Sequence, residues 1–171
     1  MSSSSSLSNF QNVSEFNRLF GNQIFSTPRL NIFEQDPKTV ESCLSLINEE
    51  HQELNDAIKN KDFVETIDAL ADLIVVIGGM ACRFGIDLDK AFQIVHLSNM
   101  SKLCRSEQEA KETVQWYLDN EKRYDSPFYE KAIDGVHWVV RNKSSGKILK
   151  NMNYVPADFK SLFNNVSSEN V

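Results

Sequence analysis

Two groups of carboxylates in the sequence have the types and spacing to do chemistry. The first is Glu49-Glu50-His51-Gln52-Glu53. Residues three or four apart share a helix face, so Glu53 neighbours both Glu49 and Glu50 in a helix. At about 100° per residue, Glu50 borders the apolar stripe of Val40, Leu44, Ile47, Leu54 and Ile58, and Glu53 lies beside it. Alone, such a stretch describes a solvated helix face. The second group is Glu65, Asp68 and Asp72, which fall within an arc of about 60° on a helical wheel. Their helix is otherwise apolar nearly all round, with Ile67, Ala69, Leu70, Ala71 and the run Leu73 to Ile77. A helix of that kind is buried in its own core or in a subunit interface. A buried, unpaired carboxylate costs roughly several kcal/mol. Lys38, Lys59, Lys61 and Arg83 all sit near helix ends, so a bound cation meets the need. Oxygen ligands without matched His or Cys select Mg²⁺, with Mn²⁺ as a substitute. The plainer alternative has Asp68 and Asp72 facing water on a helix packed from one side. No His has a Glu three positions before it, which argues against a di-iron bundle.

The elements that must position these groups are legible in the pattern. Asp36-Pro37 has the form of a helix start. Helical periodicity runs from Lys38 to Lys59, about five turns, and Asn60-Lys61-Asp62 is a polar turn. Phe63 to Phe84 is the second helix, closed by Gly85. Asp87 caps a third helix to about Met100, and Ser106-Glu-Gln-Glu109 opens a fourth that ends near Asn120. Short loops imply antiparallel neighbours. Phe10 to Phe33 is aromatic and aperiodic, a short helix followed by an extended arm. After Tyr124, His137 to Arg141 and Lys147 to Lys150 are β-prone runs separated by Asn-Lys-Ser-Ser-Gly, a hairpin signal. The expectation is all-α: an antiparallel four-helix-type bundle with a small C-terminal β-hairpin extension. Residues 1–12 form a disordered Ser/Asn-rich tail, 13–123 the helical domain and 124–171 the extension.

Composition narrows the functional classes. The chain has 171 residues, 41% hydrophobic and 25% charged, enough for one sizeable core. With a net charge of −6 and no dense block of Lys and Arg, it is not expected to bind a nucleic-acid polymer. The longest apolar run, Leu73 to Cys82, is about half of a membrane span, so no membrane is expected as a partner. Cys43, Cys82 and Cys104 are odd in number and never in a CxxC arrangement; they read as reduced thiols. The Ser-rich start has neither the basic start nor the apolar core of a signal peptide, and cytoplasm is the expected location.

Four motifs follow in order: Leu46-Ile-Asn-Glu49-Glu50-His-Gln-Glu53-Leu, Asp68-Ala-Leu-Ala-Asp72, Gly85-Ile-Asp-Leu-Asp and Val95-His-Leu-Ser-Asn-Met-Ser-Lys102. This stretch resembles the all-α nucleoside triphosphate pyrophosphohydrolases, in the MazG-like, phosphoribosyl-ATP-pyrophosphohydrolase-like branch related to dimeric dUTPases. The segment Gly146-Lys-Ile-Leu-Lys150-Asn-Met-Asn-Tyr154-Val-Pro156 is similar to the one that follows the core in that branch.

The resemblance implies Mg²⁺ held by paired acidic motifs, Glu-x-x-Glu on one helix and Glu-x-x-Asp on the next. Glu50 and Glu53 match the first pair, Glu49 its frequent extra acid, and Asp72 the Asp of the second. Ala69 stands where the usual Glu would fall. Either Asp68 or Glu65 supplies the missing carboxylate beside Asp72, or Glu65-Thr-Ile-Asp68 is itself the pair and Asp72 an addition. The implied metal ligands are Glu50, Glu53, Asp68 and Asp72, with Glu49 or Glu65 as an outer acid or the base. Asn99 and Lys102 are implied phosphate or sugar contacts, with His96, and Lys147, Lys150 and Tyr154 close over the substrate from the hairpin. Trp116, Trp138 and the Phe residues are assigned to core or interface. The implied reaction takes a nucleoside triphosphate to the monophosphate and pyrophosphate. Phosphoribosyl-ATP, dUTP and modified nucleotides remain rival substrates, and a non-catalytic nucleotide-binding or protein-interaction module remains a rival function. The apolar second helix implies a homodimer or homotetramer.

Overall fold

The computed structural model describes residues 7–163; the start of the expected tail, Met1 to Ser6, lies outside them. Six α-helices and a two-stranded sheet occupy that span, α1 Asn9–Leu19, α2 Ile32–Gln35, α3 Pro37–Asn60, α4 Phe63–Phe84, α5 Leu88–Met100 and α6 Glu107–Asn120, with β1 Pro127–Lys131 and β2 Trp138–Asn142. The all-α architecture with a small sheet is as expected. The described residues divide into two units, 7–92 with 159–163, and 93–158.

In the first unit, α1 starts inside the stretch expected to be tail. Ser8 and Gln11 form a capping box: the Ser8 Oγ accepts from Gln11 N at 3.1 Å, and the Gln11 Oε1 accepts from Ser8 N at 2.9 Å. A Ser-rich segment thus supplies a helix cap at its end. The α3–α4 pair forms the body of the unit. Pro37 occupies the first turn of α3, and Asp36 accepts from Thr39 N. Lys61 in the left-handed region ends α3, and Asp62 Oδ1 accepts from Val64 N and Glu65 N, both at 3.1 Å, to open α4. With so short a connection the two helices must run antiparallel. The buried side chains are mostly small, Cys43 and Ala57 on α3 and Ala69, Ala81 and Cys82 on α4. α1 packs on α4 at its two glycines; a β-carbon on Gly78 would meet Val13 Cγ1 at 3.0 Å.

Within one chain α4 is not buried all round, so of the two expected settings, its own core or a subunit interface, its own core does not cover it. Phe63, Ile67, Leu70, Ile74 and Ile77 are all exposed, at steps of four and three residues along one side. α3 and α1 pack on other faces of α4 and leave this stripe bare.

In the second unit, Ser106 Oγ accepts from Glu109 N at 3.1 Å and caps α6 as expected. The returning bond goes to Arg105 N rather than to Ser106 N, so the capping box closes one residue early. The expected antiparallel contact of His137–Arg141 with Lys147–Lys150 is present as one bridge, Arg141 with Ile148, but the main partner of the first run is another segment. β2 pairs with β1, antiparallel, Pro127 opposite Asn142 and Lys131 opposite Trp138. Lys147 to Leu149 runs along the other side of β2 through only two backbone bonds, Asn142 N to Lys147 O and Leu149 N to Val140 O. The Pro-Phe-Tyr-Glu-Lys run lacks alternation, which hid β1 in the sequence. Cys104, Ala110, Tyr117, Val140 and Leu149 form the core of this unit. The expected boundary at residues 123/124 therefore runs through a core that α6 shares with the sheet. All three cysteines are free and buried. Among the described residues no single helix is long and apolar enough to cross a membrane.

Candidate functional site

The six acids singled out in the sequence all lie on the α3–α4 pair. Glu49, Glu50 and Glu53 are in the second half of α3, and Glu65, Asp68 and Asp72 in the first half of α4. The short turn between the helices sets these two halves side by side. Glu49, Glu53, Glu65 and Asp68 are exposed, while Glu50 and Asp72 are half-buried. Among the described residues none of the six makes an ion pair or accepts a side-chain hydrogen bond. The cations sit at the helix ends, as their sequence positions required.

Glu50 is the centre of this group. Its Oε2 is buried and has no hydrogen-bond partner. The other buried oxygen without a hydrogen bond, on Glu121, is met by Arg123, so among the described residues Glu50 alone keeps a wholly unpartnered buried carboxylate oxygen. Burial pushes the Glu50 carboxyl up from its usual range, and the negative charges of Glu53, Asp72, Glu49 and Asp68 push it further, in that order. Four carboxylates from two helices thus direct their field at one buried oxygen. Glu65 is not among the four that act most strongly.

Asp68 therefore stands closer, electrostatically, to this centre than Glu65. Ala69, where a Glu was expected by resemblance, is only 3% exposed. The small residue lets the backbones pack where a longer side chain would have to be accommodated. Among the described residues no three His, Cys, Asp or Glu side chains enclose a point where an ion would be held. The donor set nonetheless fits a hard cation. Every group is a carboxylate, and the orphaned Glu50 oxygen is one that a cation would satisfy.

The other residues implied by resemblance are in the second unit. Asn99 Oδ1 accepts from Lys102 Nζ at 2.7 Å, which brings those two together. Lys150 Nζ lies 4.2 Å from the centroid of the Tyr154 ring, and the Tyr154 hydroxyl accepts from the buried Ser98 Oγ at 3.0 Å. Lys147 is drawn instead to Tyr124, 5.3 Å above its ring. His96 is exposed on α5, three residues before Asn99. Trp138 packs edge-on against Tyr129 beside the core, as assigned, but Trp116 is 44% exposed. It lines a cleft with Lys150 and Tyr154. Sequence reasoning passed over it, because an exposed Trp and a buried one carry the same letter; its place among Glu112, Gln115 and Asp119 was the available signal.

Comparison with known proteins bears on the first unit most directly. The model of the phosphoribosyl-ATP pyrophosphohydrolase family matches residues 13–99, just over half of the chain, and includes all six acids. An uncharacterized protein of Acanthamoeba polyphaga mimivirus is 28% identical over 239 residues, covering 90% of this chain and 95% of that protein.

Proposed function

The chain belongs to the phosphoribosyl-ATP pyrophosphohydrolase family, within the MazG-like all-α nucleoside triphosphate pyrophosphohydrolases, and on that premise we propose that it is a Mg²⁺-dependent enzyme that cleaves a nucleoside triphosphate to the monophosphate and pyrophosphate. The family's general chemistry is phosphoanhydride hydrolysis on nucleotides. The observation that carries the finer reading is the buried, unpartnered Glu50 oxygen amid the charges of Glu53, Asp72, Glu49 and Asp68.

Glu50, Glu53, Asp68 and Asp72 are the proposed ligands of the ion. Bound there, Mg²⁺ supplies charge screening for the polyphosphate and a more acidic water. Glu49, exposed one residue before Glu50, is the proposed acceptor of that water's proton, with Glu65 as the alternative. Asn99 and Lys102 are proposed to bind phosphate or sugar oxygens, the Lys102 ammonium aimed by the Asn99 amide. His96, Lys147, Lys150 and Tyr154 complete the proposed substrate contacts.

The bare α4 stripe from Phe63 to Ile77 supports a homodimer or homotetramer in which a second copy covers it. Sedimentation at several concentrations tests that assembly. For the reaction, pyrophosphate release is measured from canonical and modified dNTPs and from phosphoribosyl-ATP, with and without Mg²⁺. Mg²⁺-dependent release from one or a few supports the proposal and names the substrate. Ala69 favours one rival, a module that binds nucleotide without turnover. Metal-dependent thermal stabilisation with no pyrophosphate from any substrate would select it.

A further inference from the structure

The last turn of α5 carries a polar clasp that the proposed reaction leaves unused. Ser98 is only 7% exposed, so its hydroxyl must find partners within the protein. They come from 56 and 57 residues further along the chain. Ser98 Oγ lies 3.0 Å from the Tyr154 hydroxyl and 2.9 Å from Val155 O. Three residues on, Ser101 Oγ accepts from Val155 N at 3.0 Å and donates to Ser98 O at 2.7 Å. The two serines thus grip the Val155 backbone by its carbonyl and its N–H. Of the two, Ser98 alone also reaches the Tyr154 side chain.

What Ser98 fixes is a ring. The Tyr154 hydroxyl is taken up by a buried side chain, and the ring face meets the Lys150 ammonium, 4.2 Å from the centroid. Lys150 is exposed, and among the described residues it has no carboxylate within ion-pair distance. A long side chain of this kind samples many rotamers unless something holds it, and here the cation–ring contact does so. The Lys150 backbone is held separately, since Tyr117 Oη donates to Lys150 O at 3.0 Å. Losing Ser98 would therefore free the ring and the ammonium without releasing the chain that bears them. Asn99 follows Ser98 and Lys102 follows Ser101, so one short segment carries the first polar pair and grips the second.

We propose that Ser98 is a positioning residue: by holding the Tyr154 hydroxyl it keeps the ring against the Lys150 ammonium and so aims that charge at the substrate. The effect on turnover rests on the hydrolytic reading, but the aim of Lys150 is measurable without turnover. In proton–carbon NMR of the full chain, the ε-protons of Lys150 should lie upfield of those of the other lysines, shifted by the ring current of Tyr154. Lys150→Arg identifies the signal by removing it. Ser98→Ala should return the signal to the position of a free lysine. Ser101→Ala, which loosens Val155 but not Tyr154, should lower the melting temperature and leave the signal in place. On the substrate identified by pyrophosphate release, Ser98→Ala and Tyr154→Phe should each raise KM about fivefold, the scale of one lost hydrogen bond, with a smaller change in kcat. The double variant should be no worse than either alone, because both changes break one contact. A Lys150 signal unmoved in Ser98→Ala overturns the proposal, as do KM effects that add in the double variant. If no substrate yields pyrophosphate but Ser98→Ala moves the signal, the hydrolytic reading fails and the positioning of Lys150 stands. Turnover with an unmoved signal leaves the hydrolytic reading intact and removes Ser98 from it.

Discussion

A β-carbon on Gly85 would stand 1.9 Å from the carbonyl oxygen of Thr27. Gly85 has φ +71 and ends α4, and the arm that contains Thr27 crosses just there. Phe25 N donates to Cys82 O at 2.9 Å and Arg29 N to Phe84 O at 3.0 Å, so the arm satisfies carbonyls that the helix end leaves open. Gly85→Ala should therefore lower the melting temperature by about 5 °C or more, from backbone strain and displacement of the arm together. Gly21, with φ +75 and open space around it, is the control: Gly21→Ala carries only the strain of its φ, about 1 kcal/mol. Thermal melts of both variants decide the matter, and equal losses would mean that the Thr27 contact yields easily.

Glu53→Gln and Asp72→Asn should each reduce Mg²⁺-dependent pyrophosphate release by about a hundredfold or more while the circular dichroism spectrum stays that of the wild type. Retained activity would remove the altered residue from the site.

Glu50 gives a prediction in pH. Its carboxyl titrates above the usual range in the folded chain, so folding favours the protonated form. That contribution is fully present below the unfolded pKa and is lost as pH rises through the raised folded value. Glu50→Gln should therefore raise the metal-free melting temperature at pH 7, lose that advantage below pH 4, and abolish stabilisation by Mg²⁺. A variant that Mg²⁺ still stabilises as well as it does the wild type would mean that the ion is held elsewhere.

The turn before β2 behaves oppositely. Asp134 accepts from Val136 N and His137 N, both at 2.9 Å, and contacts His137 Nδ1 at 2.6 Å. These partners, the His137 ring first, lower its carboxyl to about 2. A lowered folded pKa contributes stability above the unfolded value and loses it as pH falls toward about 2. Melting temperature against pH between 4 and 2 should fall less steeply in Asp134→Ala than in the wild type; parallel curves would show that the turn does not depend on this charge.

Lys102→Ala should raise KM about tenfold with a smaller effect on kcat, the pattern of lost ground-state phosphate binding. Asn99→Ala should show a weaker version of the same change, because it frees rather than removes the ammonium. Steady-state kinetics on the substrate identified by pyrophosphate release provides the test.

On α4, Leu70→Glu and Ile74→Glu place charges on the exposed stripe and should shift sedimentation toward the monomer. A wild-type chain that sediments as a monomer at every concentration would leave the stripe without a partner copy.

The helices were legible in the sequence because their signals are local. Asp36-Pro37, Asp62, Gly85 and Asp87 each act on backbone groups within a few residues, so α3, α4 and α5 start and stop where their letters say. The same periodicity placed Glu50 at the edge of the apolar stripe, and the family match covers that stretch. What depends on distant residues was not legible. That β2 pairs chiefly with β1, and with Lys147 to Leu149 through a single bridge, is settled by a core in which Tyr117, Val140 and Leu149 meet from separate segments. The arm that forbids a side chain at Gly85 and the exposure of Trp116 are likewise products of packing. Sequence alone determined which groups could carry the chemistry, since spacing on a helix is a property of the chain. Only tertiary structure decided which of those carboxylates is buried, because burial is set by whatever packs against it.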